Sequence, residues 1–316
     1  MRLAKAILLR LLFGAFSLLF ISFVTFVAGE FSPGDPATIL GGEKASLATI
    51  QQIRHNLMLD RPWPERYWRY ITHALHGDFG QSYFSTHEPV RDILARTIPI
   101  TIKMATEAIL LASVIGILFG VIAAVYQRRA ADKTVLVFST LGVTTPNFVL
   151  APILVYIFCT KLDKLPITWQ IPLVAPEYYY FILPVVILAA RPAALITRLT
   201  RASMIDTLDQ EFIRTAVAKG VPRGRLLYRH ALRNAILPVI TTIGTSFGFL
   251  LTGSFVLERF FLMPGLGSTV IEAIQQIDMP VVQAGVLVTG AMFIFLNLIV
   301  DIMLPILDPR IRESQV

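Results

Sequence analysis

Histidine is the residue type in this sequence that is most suited to binding a transition metal. Four of the five histidines fall between residues 29 and 98 of the chain: His55, His73, His76 and His87. Zinc sites usually combine histidine with cysteine or carboxylate at short, fixed spacings. These histidines match no such spacing, and the single cysteine, Cys159, lies far along the chain. We therefore expect solvated histidines and no metal site.

Motifs for nucleotide binding and for hydrolytic catalysis are absent. A P-loop requires G-x-x-x-x-G-K-[ST], but Gly41-Gly42-Glu43-Lys44 lacks that spacing and Ala218-Lys219-Gly220 places lysine before glycine. Neither a G-x-S-x-G elbow nor an H-E-x-x-H pair occurs. The chain is predicted to be a carrier or channel component, without a cofactor of its own and without enzymatic activity. An intramembrane enzyme is kept as an alternative.

The composition indicates where most of the chain lies. Of the 316 residues, 55% are hydrophobic and 16% are charged, and the mean hydropathy is +0.66. Soluble domains are about 45–50% apolar and about 25% charged. This excess excludes a disordered chain, and one cysteine excludes a disulfide scaffold. Apolar runs long enough to cross a bilayer predict an all-α integral membrane protein with six transmembrane helices, at residues 6–28, 99–126, 134–160, 180–200, 236–257 and 282–306.

The first apolar run has a second interpretation, as a cleaved signal peptide, because Arg2 and Lys5 precede it. The run beyond Arg10 is too long for a typical signal peptide, and Ala28-Gly29-Glu30 is a poor cleavage site. We expect the segment to be retained as the first membrane helix.

Basic residues are concentrated in four short segments of the chain. They precede the first span, join the second to the third and the fourth to the fifth, and follow the sixth. The positive-inside rule then places both termini in the cytoplasm, residues 29–98 outside and residues 201–235 inside. This distribution also explains the net charge of +7 without nucleic acid as a partner. Amphipathic patterns within the outward segment predict helices at Leu47–Leu59 and Trp68–Leu75.

The inside connection contains a short helix with strong end signals. Asp206 is predicted to cap it, and Gly220 and Pro222 are predicted to stop it. Acids near its start and bases near its end, such as Glu211 and Lys219, suit the helix dipole. Such a helix could fit a groove of another protein. The alternative is a basic loop that lies on the headgroups of membrane lipid.

Polar residues inside the spans are the candidates for lining a pathway, because burying them in lipid is unfavourable. Lys103 and Glu107 lie one turn apart, and either neutralise each other or face a pathway. Small residues at Gly244, Gly248 and Thr252 favour close packing, within the chain or against a second subunit. The candidate pathway residues are Asn147, after a proline that predicts a kink, with Thr245, Ser246, Asn297 and Asp301.

The inside connection also carries a recognisable sequence. Residues 211–220 (EFIRTAVAKG), 230–235 (HALRNA) and Leu237-Pro238 resemble the EAA loop of permease subunits of binding-protein-dependent ABC importers. The form is that of the first permease of the dipeptide, oligopeptide and nickel branch. Further motifs of that branch follow in its order: Pro33-Gly-Asp-Pro36, Leu59-Asp-Arg-Pro62, Gly77-Asp-Phe-Gly80 with Ser82, Glu258 with Phe260, Pro264-Gly-Leu-Gly267, Asp278 with Pro280, and Asp308-Pro-Arg-Ile-Arg312.

Some positions depart from the family pattern. Arg214-Thr215-Ala216 stands where the general motif has Glu-Ala-Ala, as is common in this branch. Met263 replaces a frequent tryptophan, and Ile277 and Met279 replace the arginine and tyrosine usual around Asp278. The last three changes lie on the outward side, so they bear on docking of the binding protein or on the choice of solute.

The resemblance implies a type I importer permease fold, formed by residues 1–316 as a single domain in the bacterial inner membrane. It implies a second permease, an extracytoplasmic binding protein and two cytoplasmic ATPase subunits, which would hold ATP and magnesium. The cargo would be di- or oligopeptides, with nickel chelates, glutathione or oligosaccharides as alternatives, and a stand-alone secondary carrier as an alternative of another class. The ATPase contact is predicted at Glu211, Arg214, Thr215, Ala216, Lys219 and Gly220.

Overall fold

The computed structural model describes residues 2–31, 34–42, 45–84 and 88–307. Pro33, Glu43, Lys44, His87 and the segment 308–312 lie outside the described residues. Regular structure within those ranges is helical, apart from one isolated bridge between Gln81 and Pro89. The helices are α1 (Arg2–Glu30), α2 (Pro36–Gly41), α3 (Leu47–Asn56), α4 (Trp63–Leu75), α5 (Val90–Val125), α6 (Ala130–Thr144), α7 (Asn147–Val155), α8 (Glu177–Leu208), α9 (Glu211–Ala218), α10 (Arg223–Arg225), α11 (Arg233–Phe260), α12 (Leu266–Gln276) and α13 (Met279–Leu307).

The structure confirms the all-α architecture and the membrane spans. Five helical segments are long and apolar enough to cross a bilayer, and a bent pair, α6 with α7 and its π-helical extension Tyr156–Lys161, gives a sixth when it is counted as one span. The helices extend beyond the apolar runs; α5, for example, begins at Val90. The difference arises because a hydropathy window detects the lipid-exposed part of a helix and not its polar ends.

The third span is interrupted where the sequence predicted a kink. Helices α6 and α7 meet at 106° across Thr145 and Pro146. Thr145 has extended backbone angles (φ −82°, ψ 118°), as expected for a residue before proline. Proline also lacks the N–H that would continue the helical hydrogen bonds. The predicted single span at residues 134–160 is therefore two helices.

The coordinates divide into two compact units: residues 1–101 with 262–294, and residues 102–261 with 295–316. The single domain over the whole chain stays a prediction. In the first unit, α4 packs on α1: Tyr67 contacts the rings of Phe23 and Phe26, and its hydroxyl lies 3.0 Å from Ser22 Oγ. Helices α3 and α4 confirm the amphipathic predictions, although α4 begins earlier, at Trp63.

In the second unit, α8 packs against α6 and α11, and it also contacts α5 at Gly120. Glycines allow two of these contacts to be very close. A β-carbon on Gly120 of α5 would lie 2.8 Å from the Thr197 carbonyl oxygen, and one on Gly142 of α6 would lie 3.1 Å from that of Ala190. Close approach at small residues is the usual way in which membrane helices associate. Helix α8 is thus held by its neighbours along its length.

Candidate coupling site

The predicted inside helix is shorter than expected, because the long helix before it continues further. Helix α8 runs to Leu208, so Asp206 lies inside it and caps nothing. The prediction of an Asp206 cap is wrong: the chain leaves the helix at Asp209, whose N–H donates to the Ile205 carbonyl at 3.2 Å. Gln210 is the N-cap residue of α9, with extended angles (φ −75°, ψ 153°) and no side-chain cap.

Helix α9, Glu211–Ala218, ends where the sequence predicted. Gly220 has φ +76°, in the left-handed region that glycine adopts readily. The Val221 N–H donates to the Ala216 carbonyl at 3.2 Å and the Gly220 N–H to that of Val217 at 2.9 Å. These two bonds satisfy helix-end carbonyls in the manner of a Schellman motif. Pro222 then prevents continuation, and a new helix begins at Arg223.

One face of α9 is buried within the chain. The side chains of Ile213 and Ala216 are 4% and 8% exposed. They belong to an apolar cluster that also includes residues from α5, α8, the π-helical turn Leu226–Leu232 and α11: Val121, Ala124, Met204, Leu226, Ala231 and Ala235. The structure thus gives Ala216, one of the predicted contact residues, an internal packing role. Its contact with an ATPase stays a prediction.

The opposite face of α9 is exposed and carries the other predicted contact residues: Glu211, Arg214, Thr215, Lys219 and Gly220. The side chains of Glu211, Arg214 and Lys219 form no ion pair with any residue in the described ranges. Their charges are therefore available to a partner. An ATPase contact by these residues stays a prediction.

Two large apolar residues of α9 are exposed. Phe212 and Val217 are 40% and 56% exposed, because only positions 213 and 216 of α9 face the cluster. On a helical wheel Phe212 lies about 100° from Ile213 but about 40° from Ala216, and Val217 lies about 100° from Ala216 but about 40° from Ile213, so helical spacing alone places both beside the buried pair and does not predict their exposure. Large apolar side chains that flank charged ones are typical of a protein contact.

After α9 the chain continues as a basic helical segment that leads into α11. Helix α10, a π-helical turn at Leu226–Leu232 and α11 form a continuous helical segment, Arg223–Phe260. Its basic residues Arg223, Arg225, Arg229 and Arg233 are exposed. They can therefore lie near lipid headgroups, which was the alternative for the whole connection. The headgroup contact stays a prediction for α10 and the following turn, while the buried face of α9 is occupied by protein.

The candidate pathway residues lie on three helices of the second unit. Asn147 is the first residue of α7, directly after the break, and is half-buried. Thr245 is exposed and donates to the Thr241 carbonyl at 3.1 Å. Gly244 beside it packs on Val300 of α13, which lies between Asn297 and Asp301, so the helices that carry these residues touch. Ser246 is half-buried on α11. A pathway role for all five stays a prediction.

Lys103 and Glu107 do not neutralise each other. Lys103 Nζ lies 2.7 Å from Glu177 Oε1 and 4.2 Å from the centre of the Phe181 ring. The interpretation of Lys103 and Glu107 as a pair is wrong, because the start of α8 offers the lysine a different carboxylate. Glu107 has no hydrogen-bond or ion-pair partner among the described residues. The alternative, that it faces a pathway, stays a prediction.

The three histidines of the outward segment that the structure describes each bond to their own turn. His55 contacts Asp60 and His73 contacts Asp78, both at 2.9 Å, while His76 contacts the Thr72 carbonyl at 2.8 Å. The hydrogen bond from His73 holds the pKa of Asp78 below its usual value, helped by the backbone N–H of Gly80. In the part of the chain that the structure describes, no three histidine, cysteine or carboxylate side chains are grouped as metal ligands.

Up to six helical spans, together with the short helix α9 that has one buried and one exposed face, define a multi-pass membrane protein. Comparison with known families agrees. Residues 116–313 match the family described as "Binding-protein-dependent transport system inner membrane component", and residues 3–105 match the N-terminal region of such membrane components. The chain belongs to this family, and it is a multi-pass inner-membrane protein with the type I ABC permease fold, as its motifs predicted.

Individual relatives support the same assignment. The chain is 37% identical over 296 residues to the glutathione transport system permease protein GsiC of Escherichia coli K12, covering 94% of this chain and 95% of the relative. The protein of that name from Salmonella paratyphi A matches equally. A solved structure of an amino acid ABC transporter with histidines is 16% identical, with a TM-score of 0.48, and covers 69% of this chain and 94% of that one.

Proposed function

We propose that this chain is a translocation-pathway subunit of an ATP-driven importer for di- and oligopeptides, and that α9 contacts an ATPase subunit. The exposed face of α9 carries the proposal. That face presents unpaired charges beside Phe212 and Val217, and its other side is fixed by Ile213 and Ala216. Because the sequence has no P-loop, ATP and magnesium belong to partner subunits, and closure of those subunits must reach this chain through a contact.

The remaining subunits follow from the same assignment. A binding protein outside the membrane delivers the solute, a second permease completes the pathway, and two ATPases act from the cytoplasm. The basic inside segments place both termini of this chain in the cytoplasm. For coupling, the ATP-bound and ATP-free partners must differ in their contacts with α9.

A photo-crosslinking amino acid at Phe212 tests the contact directly in the whole transporter. We expect a crosslink to an ATPase subunit whose yield changes when ATP is added. Trp68, an exposed aromatic residue of the outward helix α4, is the matched control and should give no ATPase adduct. Equal adducts at both positions, or none at Phe212 in a complex that transports solute, would refute the contact.

A second experiment tests coupling by mutation. Gly220→Asp should leave membrane insertion intact and separate ATP hydrolysis from uptake, because aspartate adds a negative charge next to the contact and adopts φ +76° less readily than glycine. Normal uptake by this variant would refute the assignment of α9 as the contact with an ATPase subunit.

Glutathione is the second candidate solute, because a relative that is 37% identical over most of both chains carries that name. Glutathione is itself a short peptide, so the two cargoes share an amino group, carboxylates and amides. The binding protein of the system should be titrated with di-, tri- and longer peptides, glutathione and nickel. Tight binding of nickel alone would overturn both peptide-like cargoes.

Uptake by the isolated chain in liposomes, driven by an ion gradient, would instead indicate a secondary carrier.

A further inference from the structure

Asp132, at the start of α6, is a buried carboxylate of the second unit that accepts three hydrogen bonds. Its side chain is 2% exposed, and its oxygens accept from Arg201 Nε at 2.5 Å and Nη2 at 2.8 Å. The Arg128 N–H donates to the same carboxylate at 2.8 Å. Two parallel bonds from a guanidinium fix direction as well as distance. The pair therefore holds the inner end of α6 to α8 in one orientation.

A second contact holds α6 to α8 further along. Gly142, near the end of α6, packs on the Ala190 backbone of α8 so closely that a β-carbon would lie 3.1 Å from the carbonyl oxygen. Three residues later the third span breaks at Thr145 and Pro146. Helix α6 is thus bound to α8 at both of its ends, while the backbone break separates it from α7.

Helix α8 leads almost directly into the exposed helix of the coupling site. Arg201 lies two turns before the end of α8, and only Asp209 and Gln210 separate that end from α9. Met204, one turn beyond Arg201, packs in the same cluster as Ile213 and Ala216 of α9. A displacement of α9 is therefore passed to the inner end of α8, where Arg201 is attached.

We propose that the Asp132–Arg201 ion pair transmits movement of the coupling helix to α6, so that α6 moves with α8 while the break at Pro146 lets α7 stay behind. Asp132 and Arg201 are positioning residues: neither needs to touch the solute. Coupling between the ATPase contact and the solute pathway requires an element that has two arrangements, with the balance between them shifted from either site. We assign this role to α6, the first half of the third span. This inference rests on the proposed function of α9.

Mutation of the pair in the whole transporter is the first test. Asp132→Asn keeps the shape of the side chain and removes the charge. We expect the complex to assemble and to hydrolyse ATP, and solute uptake per ATP to fall by about tenfold, within the usual range for coupling between sites. The double exchange Asp132→Arg with Arg201→Asp should recover part of the uptake. Lys133→Asn, at the exposed neighbouring position, should leave uptake unchanged. Uptake per ATP within twofold of the unmutated chain in Asp132→Asn overturns the proposal.

A spin-label experiment tests the proposal without mutating Asp132 or Arg201. It therefore remains informative even if the Asp132→Asn complex fails to assemble. Labels at the exposed Val137 of α6 and Ile153 of α7 are each paired with one at Leu195 of α8. On addition of ATP, the α6–α8 distance should stay constant and the α7–α8 distance should change. A change of the α6–α8 distance, or no change of either, overturns the proposal. The crosslink at Phe212 reports separately on the proposed function: if it forms and these distances disagree, only the present inference fails.

Discussion

Ser82 Oγ donates a hydrogen bond of 2.5 Å to Oδ2 of Asp278, which lies 196 residues further along the chain. The Tyr83 N–H donates to the other carboxylate oxygen at 3.1 Å, and Asp278 is 3% exposed. The end of the outward segment is thereby fastened to the turn between α12 and α13. Both residues belong to motifs that the sequence analysis recognised separately, and the structure explains why the two occur together.

Ser82→Ala should destabilise the first unit, because a buried carboxylate loses a donor while staying buried. The expected loss is about 1–3 kcal/mol, measured by thermal unfolding of the purified chain in nanodiscs. Thr38→Ala, which removes an exposed hydroxyl bonded to the Asp35 carbonyl, is the control and should change stability by less than about 0.5 kcal/mol. Equal losses in the two variants would contradict the role of the Ser82 bond.

Gly120→Ala should weaken the packing of α5 on α8. The new methyl group would lie 2.5 Å from Thr200 Cβ and 2.8 Å from the Thr197 carbonyl oxygen, so the helices must separate. Overpacking of this kind typically costs about 1–3 kcal/mol. Gly224→Ala is the matched control, since a β-carbon there meets no atom within 4 Å. Resistance to denaturation in detergent measures both, and an unaffected Gly120→Ala would show that this interface can adjust.

Glu107→Gln should lower solute uptake without lowering the amount of assembled complex. An acid inside a membrane span is unfavourable in lipid, and Lys103 is engaged with Glu177. We therefore expect Glu107 to face the pathway. Glu65→Gln, which alters an exposed pair with Arg61 on the outward segment, serves as the control. Wild-type uptake across several peptides in Glu107→Gln would remove this residue from the pathway.

Substitutions of Gly220 should rank by their tolerance of positive φ. Gly220→Asn should retain most uptake, because asparagine adopts the left-handed region more easily than other residues. Gly220→Val should lose most of it, since a β-branched residue at φ +76° is strained by about 1–2 kcal/mol or more and the end of α9 would unwind. Uptake assays with equal membrane expression compare the two. If valine were tolerated as well as asparagine, the backbone geometry would be unimportant for coupling.

The spans and the end of α9 were predictable because each depends on nearby residues. Apolar runs report burial in lipid directly, and Gly220 with Pro222 specifies a helix end within three positions. The beginning of α9 was not predictable in the same way. Asp206 is a plausible cap in isolation, but α8 continues past it because residues such as Met204 and Thr207 are buried against the rest of the unit. Tertiary packing decided that boundary.

The ion-pair partners of charged residues were harder to predict from the sequence than the helices were. Lys103 has a carboxylate four residues away on its own helix but pairs with Glu177 on α8. Asp132 and Arg201 looked like ordinary members of two basic inside segments. The distances between helices that determine such pairs depend on glycine contacts like those of Gly120 and Gly142, and spacing along the chain does not encode them.

The exposure of Phe212 and Val217 also matters before the transporter exists. Under the proposed function, a newly inserted chain that has met no ATPase presents both side chains to the cytosol. Exposed apolar side chains attract chaperones and proteases, which act on unassembled proteins in the cell. We then expect the lifetime of the unassembled chain to depend on the supply of ATPase subunits, so that subunit stoichiometry is controlled after synthesis through the same helix that is proposed to bind them.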